Sequence, residues 1–140
     1  MLNKYRQHQN LVKLTLVTLH REYEGIRLWE ISTGNAYALY SVKLCLQEYK
    51  KTKSITAAMK KLIRIVYGKK GHPDITGIYH GIWVGIEAKT ASAKQSPDQK
   101  TFEAMINKAN GCYFVINDHS EILEQTDKLD RIKQWATSET

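Results

Sequence analysis

G-H-P-D-I-T-G-I-Y-H-G-I-W-V-G-I-E-A-K, residues Gly71 to Lys89, is the stretch on which the fold of this chain turns. Two apolar, β-rich runs, Ile75 to Tyr79 and Ile82 to Ile86, meet at Tyr79-His80-Gly81-Ile82. A short, glycine-containing connection between such runs reads as a β-hairpin. A two-residue turn at His80 and Gly81 sets Tyr79 opposite Ile82. Counting outward pairs Ile78 with Trp83, Gly77 with Val84, Thr76 with Gly85, Ile75 with Ile86 and Asp74 with Glu87. Directly opposed residues of an antiparallel pair have Cβ atoms roughly 5 Å apart on one face, so two carboxylates are expected to crowd each other. Alternation puts Lys89 on the face of Glu87 and turns Ala88 the other way. Two acids and an amine at one spot make a metal site with a catalytic lysine, or else an ordinary salt-bridge triad.

Beyond Lys89 a polar loop, T-A-S-A-K-Q, leads into S-P-D-Q-K-T-F-E-A-M-I-N-K-A-N-G, which reads as a helix. Ser96 is its N-cap, Pro97 fills the first position and Gln99 closes an S-x-x-Q capping box. Phe102, Met105, Ile106 and Ala109 form the apolar stripe, and Gly111 stops it. Cys112 to Asn117 reads as a buried strand, and Asp118 to about Trp135 as one final amphipathic helix carrying Ile122, Leu129 and Ile132.

Upstream, Lys4 to His20 shows helical spacing, Ile26 to Ile31 looks like a strand and Ser32-Thr33-Gly34-Asn35 like a turn. Ala36 to Lys50 is ambiguous between helix and strand. Ser54 to Ile65 reads as a helix capped by Ser54. The order of elements predicts an α/β fold with a mixed central sheet flanked by helices, one helix serving as a right-handed crossover between strands.

The chain has 140 residues, 42% of them hydrophobic and 25% charged, which suits a single domain over 1–140. No run approaches the ~18 apolar residues of a membrane span, and the N-terminus lacks the pattern of a signal peptide. Cys45 and Cys112 are far apart and fit neither a zinc knuckle nor a disulfide scaffold, so a reducing cytoplasm and buried thiols are expected. Residues 1–70 hold 14 Lys/Arg against 4 Asp/Glu, and residues 71–140 hold 7 against 10, within a net charge of +7. A basic first half attracts polyanions, nucleic acid above all, or simply keeps the chain soluble. Lys60, Lys61 and Arg64, followed by Lys69 and Lys70, make the densest cationic stretch. With His72 and Lys94 they are the candidate DNA contacts.

Hard divalent cations such as Mg²⁺ take oxygen ligands and bind through one or two carboxylates plus substrate phosphates. Asp74 and Glu87 supply two carboxylates, and the backbone carbonyl of Ala88 a third oxygen. Lys89 is suited to orienting or deprotonating an attacking water, or to neutralising charge on phosphorus. Gln99, at a helix N-terminus, is expected to support the site while capping its helix. No histidine pairs with a nucleophile in the sequence, and there is no P-loop and no dinucleotide fingerprint.

Pro73-Asp74 followed by Glu87-Ala88-Lys89 resembles the PD-(D/E)XK nuclease signature. The longer string resembles the VRR-Nuc branch, the virus-type replication-repair nucleases. It comprises Lys69 to Gly77, Ile86 to Lys89, S-P-D-Q-K-T-F (Ser96 to Phe102) and G-C-Y-F-V (Gly111 to Val115). The resemblance covers residues 68–117 and, more loosely, 1–35. It implies a restriction-endonuclease-like core, dependence on Mg²⁺ or Mn²⁺, and hydrolysis of DNA phosphodiesters by homodimers that act on branched DNA such as Holliday junctions. Asp74, Glu87 and Lys89 correspond to metal ligands and catalytic lysine, and Gln99 to the accessory glutamine. Family members often carry an acid early in the first helix, whereas residues 1–21 contain none here. Gln7, His8 or Gln9 substitutes for it, or the ligand comes from elsewhere. Residues 36–66 form a helical, basic insertion before the catalytic hairpin. The alternative is a catalytically silent or partner-dependent DNA-binding module of the same fold.

Overall fold

Tyr79 pairs with Ile82 and Ile75 with Ile86, the register counted from a two-residue turn. His80 and Gly81 both have positive φ, 46° and 78°, as the hairpin turn that matches strand twist requires. Glycine takes the second position without steric cost.

The computed structural model describes residues 2–31, 34–90 and 92–138. Its first elements are α1 (Leu2–Glu22), β1 (Arg27–Glu30), β2 (Gly34–Tyr37), α2 (Leu39–Thr52), α3 (Ile55–Met59) and β3 (Arg64–Tyr67). Then follow β4 (Ile75–Tyr79), β5 (Ile82–Ala88), α4 (Pro97–Lys108), β6 (Cys112–Ile116), a 3-10 turn (His119–Glu121), α5 (Ile122–Gln125) and α6 (Lys128–Ser138). Two compact units result, Met1–Ser32 with Lys70–Thr140, and Thr33–Lys69.

The larger unit is built on a four-stranded mixed sheet in the order β1-β4-β5-β6. β4 runs antiparallel to both β1 and β5, and β6 lies parallel to β5. Parallel neighbours need a crossover, and α4 is that connection. One face of the sheet carries Ile75, Val84, Ile86, Ala88, Phe114 and Ile116, buried with Leu11, Val12 and Leu19 of α1, Ile122 of α5, and Leu129 and Ile132 of α6. Each fully buried aliphatic side chain contributes about 1.5–3 kcal/mol. The opposite face carries Trp83, Gly85 and Glu87, and Trp83 packs on Phe102 of α4 with ring centroids 6.1 Å apart. Among the described residues no helix is long and apolar enough to cross a membrane.

The smaller unit pairs β2 with β3 antiparallel, from Gly34–Tyr67 to Tyr37–Arg64, with α2 and α3 between them in sequence. The ambiguous stretch after Ala36 is therefore the end of a strand followed by a helix. The helix expected over 54–65 ends at Met59. Ser54 does cap it, its Oγ accepting from the Ala57 N–H at 3.2 Å. The β-formers of I-R-I-V-Y then favour a strand over a longer helix, which places Arg64 in β3. Of the expected turn Ser32–Asn35, Ser32 and Thr33 lie outside the described residues, and Gly34 and Asn35 begin β2.

Two expectations near the C-terminus need correction. The single helix over 118–135 is a 3-10 turn and two helices, broken at Thr126-Asp127. Thr126, at the break, is buried, and its hydroxyl donates to the Ile122 carbonyl at 2.8 Å. At the end of α4 the left-handed residue is Asn110 (φ 61°), which takes the position expected of Gly111. Within the α4 stripe only Phe102 is fully buried, and Met105 and Ala109 are exposed. Cys45 and Cys112 are free and half-buried.

Candidate active site

Asp74 stands one residue before β4, where the strand ladder has already ended at Ile75–Ile86. It is not a strand partner of Glu87, as counting had placed it. Its side chain instead replaces the missing partner strand, Oδ2 accepting from the Ala88 N–H at 2.8 Å. The Asp74 carbonyl accepts from the Ile31 N–H at 2.7 Å and ties the residue to the end of β1. The expected proximity survives by this other route, since Asp74 is close enough to Glu87 to disfavour its ionised form.

Glu87 is only 3% exposed. Strand alternation turns it away from the apolar core, and Ala88 into that core, as expected. Glu87 Oε1 lies 2.8 Å from Lys89 Nζ and also accepts from Gln99 Nε2. Burial, and then the charge of Asp74, push the Glu87 carboxyl above the usual range, against the opposing pull of Lys89. Glu87 Oε2 is buried with no hydrogen-bond partner. A buried acceptor left unpaired costs about 1–3 kcal/mol, so this oxygen is the atom of the site most in need of a ligand.

Gln99 reaches Glu87 because of two sequence features. Its Oε1 accepts from the Ser96 N–H at 2.8 Å while Ser96 Oγ caps the Gln99 N–H, so the capping box aims the amide. Gly71, at φ 78°, packs so closely on the first turn of α4 that a Cβ there would stand 2.1 Å from the Asp98 carbonyl oxygen. That contact joins the G-H-P-D loop to the helix bearing Gln99.

From α1, His8 places Nε2 at 3.2 Å from Asp74 Oδ2. Of Gln7, His8 and Gln9, it is His8 that meets the acid. Gln7 lines a groove of about 450 Å³ together with Asn10, Thr90, Asn117 and His119. None of His8, Asp74, Glu87, Lys89 and Gln99 lines that groove. Tyr113, one strand over and paired with Gly85, has its phenol pKa raised by burial and then by Glu87.

The candidate DNA contacts do not form one group. Lys70 and Lys94 are exposed in the larger unit. His72 is half-buried there, its ring packed on Phe102 (5.1 Å) and Trp83 (6.3 Å) and its Nδ1 2.9 Å from the Pro73 carbonyl oxygen. Lys60, Lys61, Arg64 and Lys69 belong to the smaller unit and are exposed there. Among the described residues no group of three or more His, Cys, Asp and Glu side chains is placed to enclose a metal ion. The geometry offers two carboxylates and a free lone pair rather than a cage, which fits a hard cation that keeps its waters. Compared with protein-family models, curated proteins and solved structures, the chain matches none.

Proposed function

We propose that the chain is a divalent-metal-dependent DNA endonuclease with a restriction-endonuclease-like core. The observation that carries this reading is the buried Glu87 carboxylate, held beside Asp74 with Oε2 unpartnered. Asp74 and Glu87, with the Ala88 carbonyl, would hold Mg²⁺ or Mn²⁺. When bound, such an ion supplies polarisation of the scissile phosphate and a more acidic water. Lys89 Nζ, already on the Glu87 carboxylate, orients the attacking water or offsets charge developing on phosphorus. Gln99 holds Glu87 from the helix side, and His8 does the same for Asp74. Resemblance to the VRR-Nuc branch adds the rest: branched DNA as substrate, and a homodimer as the working unit.

A labelled four-way junction incubated with Mg²⁺ or Mn²⁺ tests the proposal. Asp74→Ala and Lys89→Ala should each lose roughly 100-fold or more of the cleavage rate while junction affinity in EDTA is kept. Cleavage by either variant at the wild-type rate would overturn these roles. The second reading, a silent DNA-binding module, rests on the internal partners of both carboxylates, His8 for Asp74 and Lys89 with Gln99 for Glu87. A junction bound but uncut by the wild-type chain under either metal would establish it.

A further inference from the structure

Residues 33–69 hold eight Lys and Arg against one acid, Glu48, while the rest of the chain holds thirteen cations and thirteen acids. The whole excess of +7 therefore sits in the smaller unit. Helix α2 displays part of it in an ordered way. Buried Ser41 marks the inner side of this helix, its Oγ donating to the Ala38 carbonyl at 2.6 Å and accepting from the Ile63 N–H at 3.0 Å. Val42, Cys45 and Glu48 share that side and are half-buried. At 100° per residue, Tyr40, Lys43, Gln47, Lys50 and Lys51 project the other way within an arc of roughly 100°, and all five are exposed. Lys43 and Lys50 form one flank of that arc, Lys51 forms the other, and Gln47 and Tyr40 lie between.

We propose that this face of α2 docks in the major groove of duplex DNA, with Gln47 and Tyr40 toward the base edges and the three lysines on the phosphates at either side. The choice of polymer rests on the DNA reading above, but the docking itself does not involve the carboxylate site. A major groove about 12 Å wide admits one α-helix between two walls of phosphate, and cations on both flanks of a polar stripe match that cross-section. A second copy seated on this face would set lysines against lysines. A membrane surface favours one continuous apolar face, whereas exposed Leu39 and Leu46 lie on one side of the stripe and exposed Leu44 on the other. A single strand calls for a series of aromatic platforms, and this face has one ring, Tyr40.

Fluorescence anisotropy of a labelled duplex, titrated with the full chain in EDTA over a range of KCl, tests the proposal. Each lysine on a phosphate adds about 0.9 to the salt slope, so K43Q/K50Q/K51Q should lower it by about 2.7. A control of equal charge change in the larger unit, K108Q/K128Q/K133Q, should leave the slope as it was. Y40A/Q47A should weaken duplex binding about tenfold with the slope kept, as loss of base-edge contacts does. Melting curves of all variants confirm that they fold. Equal slope changes in the two triple variants would overturn the docking. So would equal losses on the single strand or on phosphatidylserine vesicles, or a triple variant that merely dissociates a dimer. Cleavage plays no part in this measurement. An inactive chain that keeps the slope difference sinks the hydrolase alone, and an active chain without that difference sinks the docking alone.

Discussion

The two antiparallel strand pairs of this chain, β4–β5 and β2–β3, differ in what stands behind them. Behind β4–β5 are fully buried Ile75, Val84 and Ile86 and three helices that share their core. In residues 33–69 the buried side chains among those described are small, Ala38, Ser41 and Ala58, while Leu39, Leu44, Leu46 and Ile55 remain exposed. The difference teaches where each kind of chemistry can be placed. A carboxylate can be stripped of water only where packed elements cover it, and in the larger unit the sheet face opposite the core does so for Glu87, with Gln99 of α4 reaching it. A cluster of cations needs solvent, and the smaller unit provides it.

The largest effect should come from emptying the core on one side of this comparison only. Ile86→Ala should cost about 2–5 kcal/mol, whereas Leu44→Ala should stay within about 0.5 kcal/mol. Urea unfolding of both variants measures this, and equal costs would abolish the contrast. Gly71→Ala comes next, at about 2 kcal/mol, because it forces a left-handed alanine against the Asp98 carbonyl. It should also draw α4 off the loop and lower cleavage, since Gln99 would no longer reach Glu87. A melting curve read beside the junction assay shows both losses, and full activity in a destabilised variant would detach Gly71 from the site. Within the smaller unit, Ser41→Ala leaves the Ile63 N–H unpaired and should cost about 1–2 kcal/mol. Hydrogen exchange should show that loss in residues 33–69 while β4 and β5 stay protected. Loss of protection spread through both units would mean that they unfold as one.

Much of the larger unit was legible in the sequence because its signals are local. A two-residue turn with a left-handed glycine sets a hairpin register outright, and a capping box marks the start of α4 to the residue. Lys89 on Glu87 followed from strand alternation, and Gln99 as the closing residue of the capping box from its spacing to Ser96. What could not be read depended on residues distant in sequence. The meeting of His8 with Asp74 spans 66 positions, and Asp74 bonding to the Ala88 N–H replaces a strand pair by a side chain. The sequence around Lys60 misled because a short alanine-containing helix runs into β-branched residues with only Lys60, Lys61 and Leu62 between.

The smallest expected effect concerns the cost of the buried acid. Burial and Asp74 raise the Glu87 pKa, so the folded chain keeps that proton to a higher pH than the unfolded chain does. The penalty on folding grows as pH rises above the unfolded carboxyl's range toward the higher folded one, and vanishes below both. Glu87→Gln should therefore melt higher than the wild type at pH 7, with the gap closing as the solution is acidified. A variant that melts lower at pH 7 would show that Lys89 and Gln99 outweigh the desolvation.

Whether the two acids gather a divalent cation is decided most directly by titrating Mn²⁺ into the full chain in a calorimeter, with and without a bound junction. Saturable uptake in the wild type, abolished by Asp74→Asn and by Glu87→Gln, is the expected result. Heat that is the same in all three proteins, or absent from all three with DNA present, would contradict a metal site at this hairpin and the hydrolase built on it.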